Sequence, residues 1–398
     1  MLEEIKQRIE TIKAGKVPDG YKKTVVGIVP NEWEVKRLSE LLEFQNGINA
    51  DKEKYKSGTK MISVVDILSG KPIFYDDIIG QVDIDEKTFK KYSVTYGDIL
   101  FQRSSETFED AGKSNVYLDK ENTATYSGFV IRGKKISDYE PYYLNEILKT
   151  PGARQQIMKY AAGAQHINVS QDSLSRVSVC LANEYEQKCT AKILLKWDKA
   201  IDLQEKLIEK LELQKKALMQ RLLTPKDNWE KVKLGDICSI STGKLDVNAM
   251  VENGRYPFFT CSKQIYQIDN YAFDCEALLV AGNGDIGDIK YYCGKFNAYQ
   301  RTYVLDSFTF PIKYVLYYLE NNFQKTICLE TQKSSMPYIK LSTLANSKIY
   351  YNPSIINSVV NIFEKINNNL YFHKSKLEKL IKQHKAMQQL LLTGIVRV

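Results

Sequence analysis

The chain repeats itself. Residues 183–224 align without a gap on residues 352–393, at a constant offset of 169. Glu209, Lys210, Leu211, Gln214, Lys216, Ala217, Gln220, Leu222, Leu223 and Thr224 return as Glu378, Lys379, Leu380, Gln383, Lys385, Ala386, Gln389, Leu391, Leu392 and Thr393. An earlier landmark is doubled too: Trp33-Glu34 followed by Leu38, then Trp229-Glu230 followed by Leu234. A repeat of this length is one structural unit made twice, and each copy must end in a similar long helix. Between the landmarks the two halves share little sequence. A duplicated scaffold with diverged inserts suits two recognition units on a common frame.

Both repeated stretches open on a residue type that caps helices, Asn183 and Asn352, and Pro353 suits a first helical position. Heptad spacing follows. In the first copy Leu194, Trp197, Ile201, Gln204, Ile208, Leu211, Lys215, Leu218 and Leu222 step by three and four. Their counterparts are Phe363, Ile366, Leu370, His373, Leu377, Leu380, His384, Met387 and Leu391. Polar residues break the seam at the same two places in each copy, Gln204/His373 and Lys215/His384. Such breaks lower stability but set register and partner. They favour pairing of the two helices with each other over separate packing on their own domains. A helix of about 40 residues spans roughly 60 Å.

The 398 residues leave room for two domains and connectors. The expected organisation is an N-terminal arm over 1–32, a β-rich domain over 33–182 and a central helix over 183–226. A second domain over 227–351 and a C-terminal helix over 352–398 complete it. Strands are expected at 60–65, 97–101, 127–131, 277–280 and 302–305. Pro141 and Pro311 open helices, and Thr150-Pro151-Gly152 interrupts the first of these. The fold class is α+β: two similar mixed α/β domains joined by two long helices.

The net charge is +8, with both signs dense, which suits a polyanionic partner without requiring one. Seven Cys with no C-x-x-C pair read as reduced thiols of a cytoplasmic protein. The opening residues Met1 to Lys6 are acidic and amphipathic and carry no apolar signal core. No apolar run approaches the roughly 20 residues of a membrane span, so no membrane is expected. The 26 Tyr read as strand and core residues rather than as base-stacking platforms.

A search for chemistry returns little. No segment has the G-x-x-x-x-G-K-S/T spelling of a phosphate loop. Gly282, Gly284 and Gly287 meet G-x-G-x-x-G, but residues 288–292 read as a strand rather than the helix that would receive a phosphate. That segment is expected to be a hairpin turn. The Asn/Asp-Pro-Pro-Tyr motif of amino-methylation is missing, and the nearest spelling, at 351–354, is a helix cap. Asp19, Glu34 and Lys36 fit the P-D…E-x-K spelling of Mg-dependent nucleases. Asp19, however, sits in a Pro-Gly turn, Glu34 belongs to the duplicated landmark, and the second copy lacks the spacing. With His only at 166, 373 and 384, two of them in the seam, neither a zinc site nor a nucleophile–His site is supported. No catalytic residue and no metal are expected.

Taken in order, the residues resemble the specificity (S) subunit of type I restriction–modification systems. The resemblance is carried by the arm at 20–30 leading into Trp33-Glu34-Val35-Lys36-Arg37-Leu38, by Gly97-Asp98-Ile99-Leu100-Phe101, and by Glu186-Gln187 at a helix start. The helix ends Leu222-Leu223-Thr224 and Leu391-Leu392-Thr393-Gly394 complete it. The second half departs from it, with Glu276-Ala277-Leu278-Leu279 in place of Gly-Asp-Ile-Leu and Ile355-Ile356 in place of Glu-Gln.

The resemblance implies two target-recognition domains reading a split, asymmetric double-stranded DNA site, and an antiparallel coiled coil setting their spacing. It implies a non-catalytic subunit that assembles with two methyltransferase (M) subunits, which bind S-adenosylmethionine. Up to two restriction/translocase (R) subunits, which use ATP and Mg, join them. Candidate DNA contacts are Gln102, Arg103, Ser104, Gln165 and His166 in the first domain. In the second they are Asn283, Gln300, Arg301, Lys333 and Ser334. Arg and Gln suit bidentate contacts to guanine and adenine, whereas Lys and Ser more often hold phosphate. The alternatives are a single-chain DNA methyltransferase or nuclease, and a stand-alone DNA-binding regulator.

Overall fold

The computed structural model describes residues 2–163, 166–331 and 338–398. The chain divides into two compact units, Met1–Leu203 with Leu377–Val398, and Gln204–Lys376. Both long helices, Glu184–Leu223 and Ile356–Leu392, contribute to both units.

The duplicated tryptophan landmark does the same local work twice. In the first unit the strand Glu34–Arg37 pairs antiparallel with Ser178–Leu181, the strand that enters the central helix. In the second, Glu230–Lys233 pairs antiparallel with Lys348–Tyr351, just before the C-terminal helix. Each strand then turns into a four-residue helix whose first residue, Leu38 or Leu234, is wholly buried. The amide of that leucine donates to the carbonyl of Val177 in one unit (2.8 Å) and of Ser347 in the other (2.9 Å).

A common sheet comes next. In the first unit the strand order is Leu42–Asn46, Val130–Lys135, Ile99–Gln102, Ser114–Val116, all antiparallel. In the second it is Ser239–Thr242, Thr302–Asp306, Phe273–Ala281, Ile289–Ala298, again antiparallel. The second sheet is extended by Tyr256–Phe259 and Ile265–Ile268. In the first unit the chain between the first two sheet strands instead contributes Tyr55–Ile62 and Gln81–Val82 to a separate three-stranded sheet. The diverged inserts therefore hang on a shared four-stranded frame.

Asp98 explains why the Gly-Asp-Ile-Leu spelling suits the first frame. Gly97 adopts φ +93, which favours glycine. The buried Asp98 carboxylate accepts the backbone N–H groups of Thr95 and Lys135, both at 3.0 Å, tying the strand end to its neighbour. Burial pushes its pKa up, against the pull of those two bonds.

Two expectations are corrected. Residues 60–65 are not one strand, because Ser63 caps a short helix, Val64–Leu68, in a reciprocal capping box with Asp66. Pro353 is not the first helical residue. Asn352 accepts the Ser354 N–H at 3.0 Å, a turn follows, and the helix starts at Ile356. Asn183 does cap the central helix, accepting the Glu186 N–H at 2.9 Å. Tyr117, Tyr126, Tyr142, Tyr143, Tyr314 and Tyr317 are fully buried core residues, whereas Tyr185, Tyr271, Tyr338 and Tyr371 are exposed.

Within each unit the helices run antiparallel. In the first, Ala191 and Leu194 near the start of the central helix share a core with Leu391 and Leu392 at the end of the C-terminal helix. In the second, Met219 and Leu223 share a core with Ile356, Val359 and Phe363. All eighteen heptad positions are buried or half-buried. At one polar break of the seam the two helices hydrogen-bond to each other. Gln204 Nε2 donates to the His373 carbonyl (3.1 Å) and lies 2.8 Å from His373 Nδ1, so this residue meets its own repeat counterpart. The helix end closes on Gly394, at φ +68, where a Cβ would come within 2.5 Å of Pro30. Tyr21 Oη donates to the Gly394 carbonyl, and Arg397 spans the carboxylates of Glu186 and Glu32. Trp33 Nε1 donates to Glu186 at 3.1 Å.

Candidate nucleic-acid interface

Each unit bears an open cleft at the same topological place, where the end of one central sheet strand meets the beginning of the next. In the first unit the cleft, about 480 Å³, is bounded by Asn46, Arg103, Tyr160, Asn168 and Ser170. In the second, about 500 Å³, it is bounded by Thr242, Gly282, Gln300, Arg301, Tyr338 and Lys340.

The backbone places the candidate contacts. The strand Ile99–Gln102 ends beside Ser104–Ser105, which pairs antiparallel with Ile167–Asn168. That pairing brings Arg103, Ser104 and His166 into one neighbourhood. Ser104 Oγ donates to Asn168 Oδ1 at 2.5 Å, and Asn168 Nδ2 donates to the His166 carbonyl at 3.1 Å. His166 is exposed, and Arg103, half-buried, donates through Nη1 to the Gly128 carbonyl at 3.3 Å. Gln102 is different. Its side chain is buried, its amide donates to the Ser104 carbonyl at 2.9 Å, and its Oε1 has no hydrogen-bond partner among the described residues.

In the second unit Gln300 and Arg301 are exposed on the turn before Thr302–Asp306, and Asn283 is half-buried in the loop after Phe273–Ala281. The Gly282 N–H donates to the Arg301 carbonyl at 3.0 Å, and the Gly282 carbonyl accepts the Ile339 N–H at 2.8 Å. These bonds bring Gln300 and Arg301 to one cleft, with Asn283 next in sequence to its lining residue Gly282. Arg301 makes no ion pair among the described residues, which leaves its guanidinium available for an anion or a base edge. Gln165, Lys333 and Ser334 lie outside the described residues.

Asn46, Asn168, Tyr338 and Lys340 also line the clefts and were not singled out from the sequence. Their only signal is distance from the landmark strands, which cannot show which pairing partner brings them to the sheet. The Gly282, Gly284 and Gly287 spelling is a connection between antiparallel strands, Val280 facing Ile289, and no helix N-terminus receives it. Glu34 and Lys36 form an ion pair at 3.2 Å on the outside of a strand. Among the described residues, no cluster of three or more His, Cys, Asp and Glu could hold a metal, and no helix is long and apolar enough to cross a membrane.

Outward faces of the long helices carry apolar groups. In the second unit's portion Leu207, Leu213, Tyr371 and Phe372 are exposed, as is Leu203 in the first unit's portion.

Comparison with known proteins agrees with this geometry. The family model described as "Type I restriction modification DNA specificity domain" matches residues 30–213 and again 226–382. The chain is 36% identical over 167 residues to the type I restriction enzyme EcoDI specificity subunit of Escherichia coli, covering 42% of this chain and 37% of that protein. It is 31% identical over 240 residues to the putative type I restriction enzyme MjaX specificity subunit of Methanocaldococcus jannaschii, covering 55% of each. The matched stretches thus span about half or less of these curated relatives. The fold resembles the crystal structure of a type I restriction–modification system S subunit from M. genitalium. There the TM-score is 0.61 at 15% identity, over 91% of this chain and 96% of that one.

Proposed function

The chain belongs to the type I restriction–modification DNA specificity family, and from that premise we propose that it reads a bipartite, asymmetric double-stranded DNA site. Residues 33–182 and 227–351 act as the two target-recognition domains, and the segments 183–226 and 352–398 join them. The observation that carries the reading is the pair of clefts. One frame, built twice, presents two differently furnished concave sites at the same strand junction. Identical sites would favour a palindrome, whereas different ones favour an asymmetric target.

The chain performs no chemistry of its own. Arg103, Ser104 and His166 contact one half-site, and Asn283, Gln300 and Arg301 the other, with arginines supplying base-edge contacts and the hydroxyl and imidazole positioning the backbone. The long helices and the arm at 20–30 form the platform for two M subunits, to which the exposed Leu207, Leu213, Tyr371 and Phe372 contribute. S-adenosylmethionine is bound by the M subunits, and ATP and Mg by up to two R subunits. The complex works in the cytoplasm, where its DNA is.

The test is co-expression with a type I M subunit, followed by methylome sequencing and native mass spectrometry. Adenine methylation at one asymmetric split site, and two M subunits per chain, are expected. A palindromic site, or methylation by the chain alone when supplied with S-adenosylmethionine, overturns the proposal.

A further inference from the structure

The two clefts correspond residue by residue through their backbone bonds. The Arg103 N–H donates to the Phe129 carbonyl at 2.9 Å, as the Gly282 N–H does to that of Arg301 at 3.0 Å. The Val169 N–H donates to the Arg103 carbonyl at 2.9 Å, as the Ile339 N–H does to that of Gly282 at 2.8 Å. Arg103 therefore corresponds to Gly282, and Phe129 corresponds to Arg301. Each cleft has one arginine, but the two stand on opposite strands of the junction.

Phe129 is 65% exposed. It is also held firmly. The Val130 N–H closes a turn onto the Ser127 carbonyl (2.9 Å), and the Ser127 N–H donates to the Ile62 carbonyl (2.9 Å). Gly47 packs against the turn so closely that a Cβ there would meet the Ser127 carbonyl oxygen at 2.1 Å. An aromatic ring projected into solvent from so constrained a turn, next to an arginine and at the place where the other unit presents Arg301, is arranged for contact rather than for the core.

Resting on the DNA reading above, we propose that Phe129 is a specificity-determining residue, whose ring contacts the methyl group of a thymine in the half-site read by the first unit. In the major groove the thymine methyl is the apolar feature of a base edge, and phenylalanine suits it as arginine suits guanine. One residue position in the duplicated frame thus selects different bases in the two units by changing from apolar to cationic.

The experiment selects bound duplexes from a randomised DNA library. It uses the chain co-purified with its M partner, as wild type and as Phe129→Ala, Phe129→Arg and Arg301→Ala. Phe129→Ala loses the preference for thymine at one position of one half-site and leaves the other half-site unchanged. Phe129→Arg acquires guanine there. On the selected site, replacing that thymine by deoxyuridine weakens wild-type binding roughly fourfold, the value of one buried methyl-sized group, and leaves Phe129→Ala binding unchanged. Circular dichroism of each variant confirms folding. A half-site without thymine, or a Phe129→Ala motif identical to wild type while Arg301→Ala alters its own half, overturns the inference alone. A wild-type complex that enriches no motif overturns the DNA reading and the inference together.

Discussion

His384 in the first unit and Lys215 in the second occupy the same place in the repeat, and each breaks an otherwise apolar seam. Their surroundings differ. His384 stacks on Trp197 and lies 3.6 Å from Asp198, which accepts a hydrogen bond from Tyr142 Oη. Lys215 lies 3.8 Å from Glu320 and over the Tyr317 ring, while Tyr317 Oη donates to Glu364 and accepts from Asn367 at 2.9 Å. Asp198 and Asn367 are themselves repeat counterparts. In both units a buried tyrosine from a neighbouring helix reaches the same position of a long helix. The place of a polar group in the seam is inherited, and its partner is supplied locally. At His384 that partnership stops short of a hydrogen bond, since its buried Nε2 has none among the described residues.

The comparison breaks most visibly if the units are not independent readers. Replacing 229–351 with the matching segment of a relative changes one half of the methylated site completely and leaves the other half as it was. Methylome sequencing that finds both halves altered ends the idea of two separate readers.

Next in size are the two buried seam counterparts. Phe363→Ala costs about 3–5 kcal/mol and Leu194→Ala about 2–5 kcal/mol, since each leaves a cavity in the core of its own unit. Urea unfolding followed by circular dichroism measures both. A Leu194→Ala variant as stable as wild type means that the first seam does not hold its unit together.

Smaller effects come from the clefts. Arg103→Ala and Arg301→Ala each weaken DNA binding by about 1–3 kcal/mol if the contact is bidentate to a base. Titration against duplexes altered in one half-site at a time measures this. A reduced salt dependence with unchanged base preference shows a phosphate contact instead.

The smallest effect sharpens the seam comparison. Tyr142→Phe removes one hydroxyl bond and Tyr317→Phe two, and each costs about 1 kcal/mol, because the half-exposed groups they serve can be rehydrated. Equal losses in thermal unfolding support two equivalent clasps. A loss confined to one variant shows that the resemblance there is only geometric.

Much of this was legible before any coordinates. The heptad positions Leu194 to Leu222 and Phe363 to Leu391 were read from spacing alone, because a helix converts sequence distance directly into a face. The helices after Pro141 and Pro311 and the hairpin at the Gly282 segment follow from local breakers in the same way. The clefts were legible only in part. Arg103 and Arg301 stood out by residue type, whereas Gln102 next to Arg103 is turned into the core, and Phe129 reads as an ordinary strand residue. Burial at a strand end depends on what crosses it from elsewhere in the chain.

By itself, then, the sequence determined that there are two copies of one unit, where their helices lie, and which helix faces are buried. Each of these depends on residues a few positions apart. Only the tertiary structure decided that Arg301 corresponds to Phe129 and that Gln204 meets His373. A β-ladder is made of backbone bonds that almost any side chain permits, between strands far apart in the chain. Two sequences can therefore lose all likeness and still build the same sheet, and the correspondence between them is visible only once the strands have paired.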